Sequence, residues 1–188
     1  HNIMNCLPAV LSTYFWRNIE IEDIRLALQT FIPSSTQTPG RLNLFQFKQF
    51  QFLVDFAHNP AGLELLCDFV SKLEGEPKVG IISGTGDRRD EDIKELGKIS
   101  GRSFDEIIIR QDKNLRGRTA EEIVNLLVEG INETKTKDIP VTIILNEKEA
   151  IMHAYNTAKP GSLITIMCDV VAEALDLIKG LKEKEDLE

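Results

Sequence analysis

Residues 53–66, LVDFAHNPAGLELL, contain the transition from strand to helix that decides the fold. A short apolar run ends at Asp55, and an amphipathic helix is predicted to begin at Pro60. Asparagine is a favoured N-cap residue and proline is favoured at the first helical position, so Asn59 and Pro60 together predict the start of this helix. Asp55 and His58 are therefore expected between the carboxyl end of a strand and the amino end of a helix.

The same alternation continues to the end of the chain. Apolar and β-branched runs predict strands at KVGIIS, EIIIR, VTIIL and SLITIM, and helices are predicted over residues 60–73, 89–100, 119–131, 147–158 and 169–184. Strand and helix in alternation predict right-handed βαβ units in a Rossmann-like, doubly wound, mostly parallel sheet of about six strands. Apolar strands of this kind are expected to be covered on both faces.

Two further features lie before these units. RLNLFQF and FQFLVDF, with KQ between them, predict an initial β-hairpin. Amphipathic helices are predicted over residues 2–16 and 20–31, although Pro8 is an awkward residue for the interior of the first. The segment IPSSTQTPG separates these two helices from the hairpin, and its prolines, serines and glycine predict a linker.

Composition excludes several classes of protein. The chain has 188 residues and a net charge of −8, which argues against nucleic-acid binding because phosphate contacts need clustered Lys and Arg. No apolar run approaches the roughly 20 residues that span a bilayer, so we expect no membrane partner and a cytoplasmic location. Cys6, Cys67 and Cys168 form no CxxC pair, which predicts buried small side chains rather than disulfides or a zinc site. The first residue is His and not Met, so we do not expect the chain to begin at a natural translation start; a processed product and a fragment are both open.

Polar and glycine residues follow several of the predicted strands. In doubly wound sheets the ligand crevice lies at the carboxyl ends of the strands, and these residues are expected to gather there. They are residues 55–59, 83–89 and 111–118, with Asn146 and Asp169. The carboxylate of Asp55 could accept hydrogen bonds from ribose hydroxyls, and His58 could donate to a ligand, but a purely structural helix start is also compatible with the pattern.

Two of these segments carry arginines. SGTGDRRDED is neither a P-loop nor a GxGxxG motif, and its Asp87, Arg88 and Arg89 are expected to project from a tight turn. In QDKNLRGR, Arg116 and Arg118, together with the preceding Arg110, suggest a cationic pocket for a carboxylate-bearing substrate, because arginine binds such groups in bidentate fashion. An ordinary solvated loop remains the alternative for both segments.

Three motifs in order resemble the Mur ligase family. HNIMNCLPAV resembles the family's H-N-x-x-N-x-L-A-A helix, TPGRLNLF its P-G-R-x-E/N segment, and LVDFAHNP its D-Y-A-H-N-P motif. Pro8 stands where alanine is usual, and Phe56 stands where tyrosine is usual. Within the family, TPGRLNLFQF together with GTGDRRDEDIKELGK most resembles the carboxy-terminal part of the cyanophycin synthetases.

The resemblance implies an ATP-dependent carboxylate–amine ligase that acts through an acyl phosphate, with ATP and Mg²⁺ as cofactors. The cyanophycin synthetases join arginine to an aspartate side-chain carboxylate, so an amino-acid or polypeptide acceptor is the implied partner. The family motifs assign ATP binding to His1, Asn2, Asn5, Arg41, Asp55, His58 and Asn59. The acceptor-binding candidates are Asp87, Arg88, Arg89, Arg116 and Arg118.

No P-loop occurs in the sequence. We therefore expect residues 1–32 to be the last helices of a central ATPase domain, 33–40 a linker, 41–184 the carboxy-terminal Rossmann-like domain, and 185–188 a tail. The missing domain would hold most of the Mg²⁺ ligands, so this chain alone is expected to contain no catalytic residue and no metal site, and to be inactive. Another Mur-type ligase (peptidoglycan precursor or folylpolyglutamate) and a non-catalytic nucleotide-binding module are the alternatives, and the oligomeric state is open.

Overall fold

One mixed sheet organises the chain. The computed structural model describes residues 2–31, 34–135 and 138–187, with side chains from Cys6 onward. The strands in these ranges are β1 (Asn43–Gln46), β2 (Gln51–Asp55), β3 (Lys78–Ile82), β4 (Glu106–Ile109), β5 (Val141–Ile143) and β6 (Leu163–Met167). The helices are α1 (Asn2–Arg17), α2 (Ile21–Thr30), α3 (Pro60–Ser71), α4 (Asp90–Ser103), α5 (Ala120–Thr134), α6 (Glu147–Thr157) and α7 (Val171–Leu187).

The strand order is β1-β2-β6-β3-β4-β5, with β1 antiparallel to β2 and every other pair parallel. This arrangement confirms the predicted doubly wound sheet with an initial hairpin. From β2 the chain crosses to β3, proceeds outward to β5 and then returns to the centre as β6. The direction of strand addition therefore reverses at β6, and the carboxyl ends of β2, β6, β3 and β4 form the crevice of the fold.

Helices cover both faces of the sheet. Apolar side chains of α3, α4 and α5 pack in one core, and those of α6, α7 and the hairpin turn pack in the other. All five residues of β6 are buried between these layers. The expectation that every strand is covered on both faces is wrong for β5, where Val141 and Ile143 are exposed because β5 lies at the edge of the sheet.

The hairpin turn is longer than the Lys48–Gln49 pair suggested by the sequence. Gln46 pairs with Gln51, so residues 47–50 form the turn. The amide of Phe47 donates to the carbonyl of Phe50 at 2.9 Å, and their rings stack with centroids 4.8 Å apart. Both rings are buried in the core that contains α6 and α7, so Phe47 and Phe50 belong to the turn and not to the paired strands.

Helices α1 and α2 differ from the rest because their apolar side chains are largely exposed. Trp16 is 87% exposed and Phe15 76%, whereas Ile24 is buried. α1 continues through Pro8 without interruption. Cys6 is exposed on α1, which corrects the expectation that all three cysteines are buried.

The last helix extends further than the sequence indicated. α7 continues to Leu187, so residues 185–187 are helical rather than a tail. The carboxylate oxygens of Glu185 accept hydrogen bonds from the backbone amide of Lys48 at 3.1 and 3.0 Å. This contact ties the end of α7 to the hairpin turn.

The packing of α4 against α5 yields a prediction about glycine. A Cβ atom added at Gly130 would lie 2.1 Å from the carbonyl oxygen of Lys94, so Gly130→Ala must push the two helices apart. We expect this substitution to lower the free energy of unfolding by about 1–3 kcal/mol in urea titrations, as for other overpacked sites. Gly180 in α7 is the matched control, since a Cβ there meets nothing within 4 Å. Gly180→Ala should raise stability by about 0.5–1 kcal/mol, and equal losses at both sites would contradict this packing.

Candidate functional site

Two clefts open at the carboxyl edge of the sheet. The first, which we call the β2 cleft, has a volume of about 620 Å³ and lies between the end of β2, residues 41–42 and the surface of α3. The second, the β4–β6 cleft, has a volume of about 720 Å³ and lies beside the loops that follow β4, β5 and β6. Arg41, Asp55, His58 and Asn59, which the sequence matches to nucleotide binding, all line the β2 cleft.

Asp55 ends β2 in a buried position, with 9% of its surface exposed. Its Oδ2 atom accepts a hydrogen bond from the backbone amide of Leu42 at 3.0 Å. Burial raises the pKa of this carboxyl above its ordinary value, although the Leu42 amide and the charge of Arg41 act in the opposite direction. Asp55 thus lines the β2 cleft but is largely covered, because the segment from Gly40 to Leu42 packs over the end of β2.

The rings of the β2 cleft form a row beside this carboxylate. The guanidinium carbon of Arg41 lies 5.9 Å from the centroid of the Phe56 ring, and the Phe56 and His58 ring centroids are 5.1 Å apart. The Nδ1 atom of His58 is 3.1 Å from the carbonyl oxygen of Phe56, and His58 is exposed. The row combines one cation, one apolar face and one imidazole, which suits a flat, negatively charged ligand.

Asn59 has the structural role that the sequence predicted. Its side-chain oxygen accepts from the amide of Gly62 at 2.8 Å, and Pro60 occupies the first turn of α3. The side-chain Nδ2 atom of Asn59 donates no hydrogen bond to any described residue. The amides of Gly62 and Leu63 are both engaged by Asn59, and the amino end of α3, which lines the β2 cleft, favours negative charge through the helix dipole.

Three of the predicted nucleotide-binding residues cannot be compared with this geometry. His1 lies outside the described residues, and the side chains of Asn2 and Asn5 do as well, although their backbone belongs to α1. Their assignment stays a prediction.

The acceptor-side arginines lie where two loops meet. A Cβ atom at Gly86 would lie 1.9 Å from the carbonyl oxygen of Leu115, so only glycine permits this close approach. Arg116 Nη1 pairs with Asp87 Oδ2 at 2.5 Å, both side chains being about half exposed, and this hydrogen bond lowers the pKa of Asp87.

The other arginines of these loops differ in how far the protein engages them. Arg118 donates to the carbonyls of Gly86 and Arg88 at 3.0 and 2.9 Å, so it fastens one loop to the other. Arg89 forms two hydrogen bonds with Asp92 at 3.0 and 2.9 Å. The Nε atom of Arg88 is buried, and no described residue accepts a hydrogen bond from it. Arg88 therefore carries a buried donor that the described residues leave unused.

Arg110 occupies the centre of the carboxyl edge, in a role that the sequence did not predict. Only 2% of it is exposed. Its Nη1 donates to Asp112 Oδ1 at 2.6 Å, its Nε lies 3.1 Å from Glu147 Oε2, and its Nη2 donates to the carbonyl of Met167. It is thus part of the framework and not of a cationic pocket. In EIIIRQD an arginine directly follows three isoleucines and an acid stands two residues later, and this pattern could have indicated a buried, paired arginine.

The network continues from Arg110 to the neighbouring strands. Ser83 Oγ donates to Asp112 Oδ1 at 3.0 Å, and the amide of Asp169 donates to Glu147 Oε2 at 2.7 Å. Burial raises the pKa of Glu147, and the Arg110 charge opposes this only in part. One guanidinium thereby joins the ends of β3, β4 and β6 to the start of α6.

The β4–β6 cleft is acidic rather than cationic. Its charged residues are Asp112, Lys113, Glu147, Lys148, Asp169, Glu173 and Asp176. The amide of Lys113 donates to Asp169 Oδ2 at 2.7 Å, and its ammonium pairs with Glu173 at 2.5 Å. The pocket for a carboxylate that the sequence suggested around residues 110–118 does not extend into this cleft.

Two searches of the described residues concern other kinds of site. Among them, no group of three or more His, Cys, Asp or Glu side chains is arranged to hold a metal ion. None of their helices combines the length and the apolar character needed to cross a bilayer.

The sequence matches a family and several characterised relatives. The model of the Mur ligase, glutamate ligase domain, matches residues 40–169. The cyanophycin synthetase of Crocosphaera subtropica is 42% identical over 94% of this chain, and that of Synechocystis is 39% identical over 96%. A diaminopimelate ligase of Aquifex aeolicus is 28% identical over 94% of the chain. The chain spans about a fifth of the length of the cyanophycin synthetases, 20% in both cases.

Solved structures share the fold. A murein peptide ligase from Psychrobacter arcticus superposes with a TM-score of 0.64 at 21% identity, covering 97% of this chain and 37% of that one. The E. coli FolC protein in complex with ADP gives 0.64 at 20% identity, covering 88% and 36%. At these identities the likeness supports the Rossmann-like fold alone.

The network around Arg110 predicts a large loss of stability when the guanidinium is removed. Arg110→Leu leaves the buried carboxylates of Asp112 and Glu147 without their cation, and we expect the free energy of unfolding to fall by about 3–5 kcal/mol. Arg116→Leu removes an exposed ion pair and should cost less than about 1 kcal/mol. Chemical denaturation of both variants tests this, and a small, equal effect would exclude Arg110 as the framework cation.

The raised pKa of Glu147 predicts a pH dependence. The folded state holds a proton on this carboxyl at pH values where the unfolded chain has lost it, so its contribution to stability is complete below the ordinary pKa of 4.5 and is lost as pH rises through the folded-state value. Glu147→Gln should lack that part of the decline in urea titrations across this range. Glu149→Gln, at an exposed position of the same helix, should keep the wild-type slope. Identical slopes for wild type and Glu147→Gln would show that Glu147 titrates normally.

Proposed function

The chain belongs to the Mur ligase family, and on that premise we propose that it is the nucleotide- and acceptor-binding part of an ATP-dependent carboxylate–amine ligase. Four residues matched to the family's nucleotide site, Arg41, Asp55, His58 and Asn59, line the β2 cleft together, and this observation carries the proposal. The family model matches residues 40–169, and this range includes all four residues and the other residues that line the cleft. A cytoplasmic location is proposed with this activity.

The reaction proposed is the joining of arginine to an aspartate side-chain carboxylate. Its support is the 39–42% identity to two cyanophycin synthetases over nearly the whole chain, against 28% for a diaminopimelate ligase. A carboxylate oxygen attacks the γ-phosphorus of ATP, ADP leaves, and an acyl phosphate forms. The amine of arginine then attacks the carbonyl carbon, a proton leaves the nitrogen, and phosphate departs with the original carboxylate oxygen.

In the β2 cleft, Asp55 would receive the ribose hydroxyls on the carboxylate oxygen that Leu42 does not occupy. Arg41 would approach the phosphates, because its guanidinium stands exposed at the mouth of the cleft. His58 and the side-chain Nδ2 atom of Asn59 would complete the polar contacts to the nucleotide. His1, Asn2 and Asn5 are proposed to meet the adenine from α1.

On the acceptor side, Arg88 and Arg116 are the main candidates. The partly exposed side chain of Arg88 and the exposed guanidinium of Arg116 suit a substrate carboxylate, since arginine binds such groups with two parallel hydrogen bonds. Asp87 and Arg89 would shape the same surface. Arg118 would contribute by fastening residues 86 and 88, because its donors are engaged there.

Residues 1–32 are proposed to belong to a central ATPase domain, residues 33–40 to a linker and residues 41–184 to the carboxy-terminal domain. The exposed apolar surface of α1 and α2 supports this, since large apolar patches usually mark an interaction surface. We also propose that Mg²⁺, which would neutralise phosphate charge, is held mainly by the central domain, since Mg²⁺ is usually bound by one or two carboxylates together with the substrate phosphates.

A split between two arginines tests these assignments in the product of the complete gene. Arg41→Ala should raise the KM for ATP about tenfold or more, the scale for losing a charged hydrogen-bond partner, and leave the KM for arginine nearly unchanged. Arg116→Ala should do the reverse. Steady-state kinetics measure both constants, with Arg25→Ala on the exposed face of α2 as the control. If both variants raise the KM for ATP alone, the acceptor assignment is wrong.

The activity itself is tested by ATP-dependent incorporation of labelled arginine, the amino-acid acceptor of the activated acyl group, into an aspartate-rich peptide. The product of the complete gene should incorporate arginine, and the 188-residue chain alone should not, because no P-loop is available to hold the phosphates. Incorporation of glutamate or diaminopimelate instead would indicate a different Mur-type ligase. Nucleotide binding without any incorporation would indicate a binding module, and activity of the chain alone would contradict the division of domains.

A further inference from the structure

We propose that Asn43 is a positioning residue that fixes the backbone of Arg41 and thereby orients its guanidinium toward the nucleotide. This inference rests on the proposed function, since it assigns a task to Arg41. Asn43 is the first residue of β1 and is buried, with 5% of its surface exposed. It does not line the β2 cleft, so it would act only through its neighbours.

The side chain of Asn43 forms all of its hydrogen bonds with the backbone of residues 38–41. Its Oδ1 accepts from the amide of Gly40 at 2.7 Å. Its Nδ2 donates to the carbonyls of Thr38 at 3.0 Å and of Arg41 at 3.3 Å. These partners lie on both sides of the Arg41 Cα atom, so one buried amide holds the backbone from which the guanidinium projects.

The remaining backbone groups of this segment also have partners. The amide of Arg41 donates to the carbonyl of Thr38 at 3.2 Å, and the carbonyl of Gly40 accepts from the amide of Phe56 at 2.9 Å. The amide of Leu42 donates to Asp55 Oδ2 at 3.0 Å. Every polar backbone group from the Gly40 amide to the Leu42 amide is therefore paired within the protein, which is expected only of a segment held in one conformation.

The conformation held in this way is an uncommon one. Gly40 has φ = +69° and Leu42 has φ = +50°, so both neighbours of Arg41 lie in the left-handed region. Leucine rarely adopts this conformation, and such residues persist only where surrounding contacts require them. A Cβ atom at Gly40 would also lie 2.7 Å from Val171, which excludes other side chains there. Without the Asn43 contacts, we expect the segment to relax and Arg41 to leave its position over Phe56.

The hydrogen bonds made here match an amide side chain. The Gly40 amide needs one acceptor and the Thr38 and Arg41 carbonyls need two donors, and the side-chain amide of asparagine or glutamine offers one acceptor together with two donors. Asn43→Asp keeps the acceptor but directs a carboxylate oxygen at two carbonyl oxygens. Asn43→Ser keeps a small hydroxyl that can satisfy part of the set. The expected order of nucleotide affinity is wild type, then Asn43→Ser, then Asn43→Asp.

A double-mutant cycle tests the inference in the product of the complete gene, with ATP affinity measured by calorimetry. Arg41→Ala should weaken ATP binding about tenfold and Asn43→Ser about threefold to fivefold, whereas the double variant should bind no more weakly than Arg41→Ala alone, because contacting residues that act as one unit are non-additive. Gln46→Ala, on the exposed side of the same strand, is the control and should bind ATP normally. Thermal unfolding of each variant confirms that the folded protein is being titrated.

The outcomes separate this inference from the function on which it depends. If Arg41→Ala binds ATP like the wild type, the nucleotide assignment of Arg41 fails, and the proposal for Asn43 fails with it. If Arg41→Ala is weak but Asn43→Ser binds normally, the proposed function stands and Asn43 has no positioning role. If Asn43→Ser weakens binding by the same factor with and without Arg41, Asn43 acts on the fold as a whole and the inference is overturned.

Discussion

Arg110 directly follows β4 and is buried, so its guanidinium needs partners from the strands and loops beside it. Asp112 and the carbonyl of Met167 accept its hydrogen bonds, and Glu147 forms an ion pair with it. An arginine that is 2% exposed is stable only with such partners, and each partner belongs to a different element at the carboxyl edge. The loops that follow β3, β4 and β6 are therefore built around one buried cation, and its partners Asp112 and Glu147 line the β4–β6 cleft.

The two clefts differ in what they offer a ligand. In the β2 cleft a buried carboxylate, Asp55, stands beside the exposed cation Arg41 and the Phe56 ring, and the backbone groups from the Gly40 amide to the Leu42 amide are all paired. At the meeting of the other loops, Arg116 and Arg88 belong to surface segments fastened by Arg118. Because the backbone of residues 40–42 is more fully paired than these surface loops, the proposed nucleotide site would be the more rigid of the two and the proposed acceptor site the more adaptable.

Local patterns in the sequence were sufficient for the alternation of strands and helices, the Asn59–Pro60 helix start and the gathering of polar residues at one edge, because each depends on neighbouring residues. Properties that depend on strand order were not predictable in this way. The exposure of β5 follows from its edge position, and the burial of Asp55 follows from residues 40–42, which return over the end of β2. Two arginines of one short segment have different roles, since Arg118 donates to the backbone carbonyl of Gly86 whereas Arg116 forms an exposed ion pair with Asp87.

The proposed function depends on activation of a carboxylate by phosphorylation, and isotope transfer tests this step most directly. The product of the complete gene would be given ATP, arginine and a peptide whose aspartate carboxylates carry ¹⁸O, and the released phosphate would be examined by mass spectrometry. Passage through an acyl phosphate predicts that one ¹⁸O atom reaches phosphate for each amide bond formed. Amide formation with unlabelled phosphate, or with AMP and pyrophosphate as products, would contradict the account.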